Sequence, residues 1–214
     1  MLALKTLKAG EEREELDELT LERAKRGDGA AFGVLVRFYE RPVFALLARM
    51  LFGAQRHLVE DLAQETFVRA YRAISGFGSD GRQHLSSWLL TIATRIALDE
   101  LRKRSFATEI PSAELPSTHR TDALVERHAL AEAIERAVQA LPPEYRAAFL
   151  LREAHDSDYD AIAAALNVDL GTVKSRLSRA RTTLRLALRK FLLKKPNLQR
   201  ARPTRAHGFY LRES

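Results

Sequence analysis

The residues with the clearest chemical potential are the basic and hydroxyl side chains gathered between positions 174 and 181. A guanidinium can form paired hydrogen bonds to the acceptor edge of guanine, and an ammonium binds phosphate as a compact charge. On a helix, such groups can read base edges in the major groove of DNA. A solvated face on an ordinary helical hairpin has a similar composition, but the dense cations favour DNA. The residues are Lys174, Ser175, Arg176, Ser178, Arg179 and Arg181.

The segment that leads into these cations has the pattern of two short crossing helices. Small and branched apolar residues recur in DAIAAALNVDLGTVKSRL (Asp160–Leu177), and Ala163 permits a close approach of the two helices. Asn167 falls where the chain must turn, and asparagine tolerates the left-handed conformation that ends many helices. Asp169 is of a type that caps a helix N-terminus. The pattern predicts a helix-turn-helix whose second helix carries the cations.

The charge is distributed very unevenly along the chain. The whole sequence of 214 residues has a net charge of +7. Residues 174–214 hold 13 Lys or Arg and one acid, Glu213, which gives +12, whereas the remainder holds 22 basic and 27 acidic residues. A basic end on an otherwise acidic protein is typical of a polyanion-binding protein, although a solvated tail would have the same composition.

Several classes of function are not supported by the composition. Cysteine is absent, and no two of the six histidines stand four residues apart, so we expect no disulfide, no metal site and no cofactor. Phosphate-binding loops, nucleophile elbows and dinucleotide fingerprints are missing, so no enzyme activity is expected. No apolar run reaches the ~18 residues of a membrane span, and the N-terminus lacks a secretory signal. The chain is expected to act in the cytoplasm.

Helical periodicity runs through almost the whole chain, while alternating strand patterns are missing. We therefore predict an all-α protein of two small domains, an N-terminal helical bundle and a C-terminal helix-turn-helix domain, joined by a flexible linker. Pro42 should kink or break the second helix, and Ser86 or Ser87 should cap the fourth. The predicted helices cover 12–26, 30–52, 58–75, 86–104, 122–140, 142–154, 159–166 and 170–193.

The third predicted helix has two contrasting faces. One face is an apolar stripe at helical spacing, which predicts burial. The opposite face is polar, and nothing around its carboxylates suggests the desolvation that a catalytic pair needs. The stripe comprises Val59, Leu62, Ala63, Thr66, Phe67, Ala70, Tyr71 and Ile74, and the polar face comprises Asp61, Gln64, Glu65, Val68, Arg69 and Arg72.

Four blocks of sequence resemble one known family in the same order. LPPEYRAAFLLRE (Leu141–Glu153) and YDAIAAALNVDLGTVKSRLSRARTTLR (Tyr159–Arg185) resemble the C-terminal domain of extracytoplasmic-function (ECF) sigma factors of the sigma-70 family. DLAQETFVRAYRAI (Asp61–Ile74) and SSWLLTIATRIALDELRKR (Ser86–Arg104) resemble their N-terminal domain. A single block would be a weak signal, because many regulators carry a similar helix-turn-helix. The pair of domains is highly specific.

The resemblance implies a domain plan and a set of partners. An extension (1–18) precedes a region 2-like domain (19–104) that binds core polymerase and recognises and melts the −10 element. A linker (105–121) leads to a region 4-like domain (122–193) for the −35 element, and a basic tail (194–214) follows. The implied partners are core RNA polymerase, through its β′ clamp and β subunits, promoter DNA and an anti-sigma factor that can hold the chain at the membrane, with no small-molecule substrate.

The resemblance also assigns roles to individual residues. Phe67 lies on the buried stripe of the third helix and supports the polymerase-binding surface from beneath. Trp88 occupies a position where the family has an aromatic residue, and it also lies on an apolar stripe. Arg95 stands where the family commonly has Asn, and a guanidinium reads different base edges from an amide. The polymerase-binding residues are Asp61, Gln64, Glu65 and Arg72; the −10 residues are Trp88, Thr91, Arg95, Arg102 and Lys103; the −35 residues are Arg152, Lys174, Ser175, Arg176, Ser178 and Arg179.

Two other functions remain open at this stage. A free-standing helix-turn-helix regulator would bind palindromic DNA as a dimer, but it leaves Asp61–Arg104 without a role. A sigma-like decoy would titrate an anti-sigma factor without reading a promoter. Arg95 favours the decoy, and the cations at Lys174–Arg181 argue against it. For the tail we hypothesise a phosphate-binding extension.

Overall fold

The computed structural model describes residues 16–78, 84–106 and 122–194. Within these residues the fold is all-α, as predicted, and no strand is present. None of the helices in this part of the chain is long and apolar enough to cross a bilayer. The helices are α1 (Glu18–Lys25), α2 (Gly29–Met50), α3 (Arg56–Ala73), a 3-10 turn (Ile74–Gly76), α4 (Leu85–Phe106), α5 (Asp122–Gln139), α6 (Pro143–Glu153), α7 (Tyr159–Leu166) and α8 (Leu170–Lys194).

The first four helices form the N-terminal bundle. Asp28 caps α2, because its carboxylate accepts hydrogen bonds from the backbone N–H groups of Ala30 and Ala31 at 2.9 and 3.1 Å. Helix α2 packs against α1, α3 and α4 and supplies much of the bundle core. Burying these apolar side chains is the main source of the bundle's stability. Its largest fully buried side chains are Leu35, Val43, Leu46, Leu47, Met50, Leu51 and Leu89.

Three predicted features of this bundle differ from the structure. Helix α2 continues through Pro42, so of the predicted kink or break, the break is absent. Helix α4 begins at Leu85, which places Ser86 and Ser87 inside the helix and excludes them as its cap. Helix α4 also extends to Phe106, so the first two residues of the predicted linker are helical. The rest of the linker, 107–121, lies outside the described residues, as do most of the predicted N-terminal extension and all of the tail beyond 194.

The last four helices form the C-terminal domain, in which α7 and α8 make the predicted helix-turn-helix. Asn167 adopts the expected left-handed conformation, with a φ of 52°. Asp169 is the predicted cap of α8 and accepts a hydrogen bond from the Thr172 backbone N–H at 2.8 Å. The Thr172 hydroxyl also donates to this carboxylate, and these bonds lower the pKa of Asp169. A Cβ at Gly171 would stand 2.9 Å from the carboxylate, so glycine permits this close cap.

Asn167 provides a direct test of the helix-turn-helix turn. Replacing it with alanine should lower the free energy of unfolding by about 1 kcal/mol, because a Cβ without a compensating polar group is strained in the left-handed region. Asn167→Gly should leave stability within about 0.5 kcal/mol of the parent. Urea denaturation of the full chain, followed by circular dichroism, measures both. Equal stability of the Ala and Gly variants would contradict the assignment of strain to this residue.

The two domains pack directly against each other. Helix α4 lies on α7 and α6, and α2 also contacts α6. The buried apolar residues of both domains form one continuous cluster. Two arginines connect backbone segments across this boundary: Arg146 of α6 donates to the Met50 carbonyl, and Arg95 of α4 donates to carbonyls of α7.

Candidate nucleic-acid interface

Helix α8 presents most of the predicted −35 residues to solvent. Val173 and Leu177 are buried, and so are Ala180 and Leu184 further along the same face of α8. That apolar face packs against α5, α6 and α7, which leaves the basic face outward. The exposed residues of this face are Lys174, Ser175, Ser178 and Arg179.

Local hydrogen bonds fix several of these side chains. Arg179 Nη1 donates to the Tyr145 hydroxyl at 2.9 Å, and Ser175 donates to the Thr172 carbonyl at 2.9 Å. Arg176 is half-buried, and its Nη1 atom is buried without a hydrogen-bond partner among the described residues. Among the described residues, the interface therefore contains one anchored guanidinium (Arg179), one ammonium without a bonded partner (Lys174) and one partly enclosed guanidinium (Arg176).

Arg181 is part of the scaffold in this arrangement. Its guanidinium donates to Glu153 Oε1 at 2.8 and 3.2 Å, which connects α8 to α6. This hydrogen bond is the largest contribution that raises the pKa of Arg181. The pair helps to fix the angle at which α8 presents its basic face, and it neutralises one of the four cations between positions 174 and 181.

The resemblance implies that Arg152 contacts −35 DNA, but in the structure its guanidinium makes contacts within the protein. It is half-buried, and its Nη1 donates to the Ser157 carbonyl at 2.9 Å. Its guanidinium lies 5.5 Å from the centre of the Tyr159 ring and 3.9 Å from the carboxylate of Asp156. Asp156 has a positive φ of 55°, so this short connection turns sharply. In this conformation Arg152 braces the α6–α7 connection and does not point freely outward.

The polar face of α3 is accessible, as predicted. Asp61, Gln64 and Arg72 are exposed, and Glu65 is half-exposed with its carboxylate 2.7 Å from Arg69 Nε. These side chains stand beside an open groove between α2 and α3, with a volume of about 560 Å³. The groove is lined by Phe32, Val36, Gln64, Phe67, Val68, Tyr71 and Arg72.

Tyr71 was predicted to be buried, and it is 48% exposed. Its ring makes an edge-to-face contact with Phe32, with 4.9 Å between the ring centroids. The eight-residue stripe on α3 is wider than the surface that α2 and α4 cover, so its outer edge remains open. A tyrosine that packs one face of its ring against apolar side chains and exposes its hydroxyl to water is typical of protein interfaces. Tyr71 therefore extends the polar face into an amphipathic surface.

Helix α4 holds the predicted −10 residues in unequal environments. Trp88 is half-buried against Phe77, with 5.1 Å between the ring centroids, which fits the apolar stripe better than a free stacking platform. Thr91 is buried, and its hydroxyl donates to the Ser87 carbonyl at 2.8 Å, so it does not reach solvent here. Arg102 lies 3.0 Å from the Asp99 carboxylate, whereas Lys103 is simply exposed.

Arg95 makes its contacts across the domain boundary. Nη2 donates to the Ala164 carbonyl at 2.7 Å, and Nε donates to the Ala165 carbonyl at 3.3 Å. Both acceptors lie in the last turn of α7. The sequence predicted a base-reading role for this side chain and gave no indication of this contact.

Arg146 is a structural residue of the domain boundary that the sequence pattern did not single out. Its Nη1 donates to the Met50 carbonyl at 2.6 Å, and its Nη2 donates to the carbonyls of Gln139 and of Leu141, the latter at 3.1 Å. Burial lowers the pKa of this guanidinium. An arginine directly before the apolar run Ala147–Leu151 was the available signal, because a half-buried cation needs several acceptors.

The chain matches two family models in succession. Residues 35–107 match the family described as Sigma-70 region 2, and residues 131–184 match the one described as Sigma-70, region 4. The first match covers α3 and α4 with most of α2, and the second covers the helix-turn-helix with α6 and much of α5.

Individual proteins are similar over most of their length. The chain is 33% identical over 191 residues to the RNA polymerase sigma-H factor of Pseudomonas aeruginosa, which covers 84% of this chain and 97% of that protein. It is 33% identical over 186 residues to the ECF RNA polymerase sigma factor SigW of Bacillus subtilis, covering 79% and 95%.

Two solved structures with a similar fold are complexes with a second protein. CnrH in complex with the cytosolic domain of CnrY gives a TM-score of 0.57 at 26% identity, covering 82% of this chain and 99% of that one. The sigma factor RpoE in complex with the anti-sigma factor NepR from Bartonella quintana gives 0.57 at 26%, covering 74% and 96%.

Proposed function

The chain belongs to the extracytoplasmic-function sigma factors of the sigma-70 family, which direct RNA polymerase to particular promoters, and we propose that it does so through three surfaces on its two domains. The observation that carries the proposal is the basic face of α8 on the same chain as the amphipathic surface of α3. A free-standing regulator needs the first surface and has no use for the second. Sigma factors are initiation factors rather than enzymes, so polymerase supplies the catalysis.

The −35 surface is the exposed face of α8. We assign its N-terminal half to the major groove, with Arg179 contacting a base edge and Lys174 a phosphate. The hydroxyl groups of Ser175 and Ser178 can hydrogen-bond to a base edge or to a phosphate. Arg176 contributes through the part of its guanidinium that remains accessible, and Arg152 supports the surface by bracing the connection before α7.

The core-polymerase surface is the α3 face with its groove. Asp61 and Gln64 supply polar contacts at its edge, and Glu65 and Arg72 border them. The apolar floor, with Tyr71 at its rim, supplies the desolvated centre that stable interfaces need. A helical segment of the polymerase clamp fits a groove of this kind, because an amphipathic helix buries its apolar face in such grooves.

The −10 surface is on α4 and the segment before it. We assign Arg95 to contact a base of the opened strand once its guanidinium has left the α7 carbonyls, and Arg102 and Lys103 to hold phosphates. Trp88 supports this surface from its packing against Phe77. Unstacking a base costs a few kcal/mol, so the surface must return hydrogen bonds and stacking.

An anti-sigma factor is the proposed regulator. Two solved structures of similar proteins are complexes with such a factor or with the cytosolic domain of a second protein. We infer that the chain acts in the cytoplasm, where its polymerase and promoters are, and that an anti-sigma partner controls its access to them.

Transcription in vitro tests this function as a whole. Bacterial core RNA polymerase is combined with fragmented genomic DNA of the organism that encodes the chain, with and without the protein, and RNA 5′ ends are mapped. New start sites that share two spaced upstream elements support a promoter-specificity factor. Core binding without new starts would support a decoy, and a dimer on palindromic DNA without polymerase would support a free-standing regulator.

Reversing charge on α3 should weaken binding to core polymerase. The variant Asp61→Lys with Gln64→Lys is expected to raise the dissociation constant at least about tenfold, because it places two ammonium groups where the partner faces a carboxylate and an amide. Asp160→Lys with Thr183→Lys, which changes the net charge by the same +3 at two exposed residues of the other domain, is the matched control. Surface plasmon resonance with immobilised core and no DNA measures both. Equal affinities for the two variants would contradict this placement of the interface.

A further inference from the structure

The contact between α4 and α7 has an unusual chemistry for a domain boundary. Arg95, in the N-terminal domain, donates to the carbonyls of Ala164 and Ala165, about seventy residues along the chain. The last carbonyls of a helix have few intrahelical N–H partners and carry partial negative charge. Here the Ala164 carbonyl also accepts a long hydrogen bond from the Asn167 N–H, at 3.4 Å. A guanidinium from another domain therefore caps the first helix of the DNA-binding motif.

The same face of α4 is covered along its length. Thr91 and Leu98 stand four residues before and three residues after Arg95, so they share its side of the helix. Both are buried, and α4 packs on α7 and α6. Because Arg95 points to α7, this face is the one that meets the C-terminal domain. The helix proposed to contact the −10 element is thus partly enclosed by the domain proposed to contact the −35 element.

The enclosed face is polar at its centre. Thr91 bonds within its own helix, and the guanidinium of Arg95 is the polar group on this face that bonds outside it. A face that carries a hydroxyl and a guanidinium is less suited to permanent burial than an apolar one. It is well matched to base edges and phosphates, which offer acceptors to hydroxyl and guanidinium donors.

We propose that Arg95 is a latch that holds the free chain in a closed state, and that the same guanidinium must leave α7 before α4 can contact promoter DNA. The second part rests on the proposed −10 role of α4. One guanidinium whose Nε and Nη2 atoms both point to α7 carbonyls cannot present that edge to a base. Opening also releases Arg146 Nη1 from the Met50 carbonyl, which forms the second connection between the domains.

The latch is suited to reversible release. Arg95 remains exposed although it is bonded, so solvent competes for its donors and the contact is weaker than a buried one. An asparagine at this position could not replace the arginine in this contact. Its side chain is shorter and offers one donor nitrogen, whereas arginine offers Nε and Nη2 to the two α7 carbonyls. The residue that departs from the family pattern therefore has a second task, which is to set the balance between closed and open chains.

The absence of cysteine makes this balance measurable. Spin labels are attached at His57→Cys on α3 and Thr183→Cys on α8, both exposed positions in different domains. Double electron–electron resonance of the free full chain should give one dominant narrow distance. Adding Arg95→Ala should raise the ratio of open to closed chains about fivefold, as the loss of a charge-assisted bond predicts, and should add a longer, broader distance.

Arg69→Ala is the matched control. Arg69 is also an exposed arginine, and it pairs with Glu65 on its own helix. This variant should leave the distance distribution unchanged, and Arg95→Lys should give an intermediate ratio, because an ammonium keeps the charge and loses the paired geometry. A distribution for Arg95→Ala identical to that of the parent would overturn the latch.

Core binding separates this proposal from the proposed function. If opening precedes stable assembly, the dissociation constant of Arg95→Ala for core polymerase should fall by the same factor by which the open fraction rises. Unchanged distances with normal core binding would reject the latch and leave the sigma function intact. Shifted distances without any core binding would support the latch and reject the function.

Discussion

Replacing Arg146 with methionine should lower the free energy of unfolding by about 2–4 kcal/mol, because it leaves several carbonyls without their charged donor. The guanidinium donates to the carbonyls of Met50, Gln139 and Leu141, which belong to both domains. Methionine retains the apolar bulk of the stem, so the loss is one of hydrogen bonds rather than of packing. Urea denaturation followed by circular dichroism measures the change by linear extrapolation.

Two further variants identify the cause of that loss. Arg136→Met removes an exposed arginine from the last turn of α5 and should cost less than about 0.5 kcal/mol, as surface changes usually do. Arg146→Lys keeps the charge, but one ammonium cannot reproduce the spread of the guanidinium donors, so it should recover less than half of the loss. Equal stabilities for Arg146→Met and Arg136→Met would mean that the hydrogen bonds of Arg146 to the Met50, Gln139 and Leu141 carbonyls do not stabilise the fold.

The features that the sequence predicted well follow from interactions between neighbouring residues. The bounds of α7, the left-handed turn at Asn167 and the cap at Asp169 each depend on residues within about four positions. The same applies to the alternation on α3, where Asp61 is exposed and Val59 is buried. Helical spacing and capping chemistry are local rules, so one sequence is sufficient for them.

The features that the sequence missed depend on the relative position of distant elements. The contacts of Arg95 and Arg146 across the domain boundary join residues 69 to 96 positions apart, and no periodicity encodes such pairs. The spacing of Tyr71 fits the apolar stripe of α3 and therefore predicts burial. How much of that stripe is buried, however, depends on how wide a surface the neighbouring helices cover. The resemblance assigns Thr91 to a DNA surface, whereas in the structure it is buried and its hydroxyl bonds within its own helix.

Arg152 shows how a residue can match a motif and still serve another purpose. Its spacing within LLRE is compatible with a DNA contact, but the positive φ at Asp156 turns the chain so that the guanidinium meets the Ser157 carbonyl and the Tyr159 ring. The turn, and not the position in the motif, decides where the side chain goes. Its effect on DNA binding is then expected to be indirect, through the placement of α7 and α8.

Arg179→Ala should weaken promoter binding by the reconstituted polymerase about 5- to 150-fold, the equivalent of about 1–3 kcal/mol for a guanidinium that contacts a base edge. The loss should depend on the base pair that Arg179 contacts, so substitutions at one −35 position should have less effect in the variant than in the parent. Tyr145→Phe removes the hydroxyl that holds this guanidinium and should produce a smaller loss of the same kind. Filter binding on a promoter identified by transcript mapping measures each affinity.

Lys174→Ala should behave differently, because an ammonium on phosphate carries no sequence information. Its affinity loss should be similar on every promoter, and the slope of log affinity against log salt should fall by about 1. Arg56→Ala, which removes one exposed charge from the other domain, controls for net charge and should change neither quantity. If Lys174→Ala altered the preferred −35 bases, or if Arg179→Ala changed the salt slope alone, then the two side chains would have exchanged roles, and α8 would enter the groove at a different rotation about its axis.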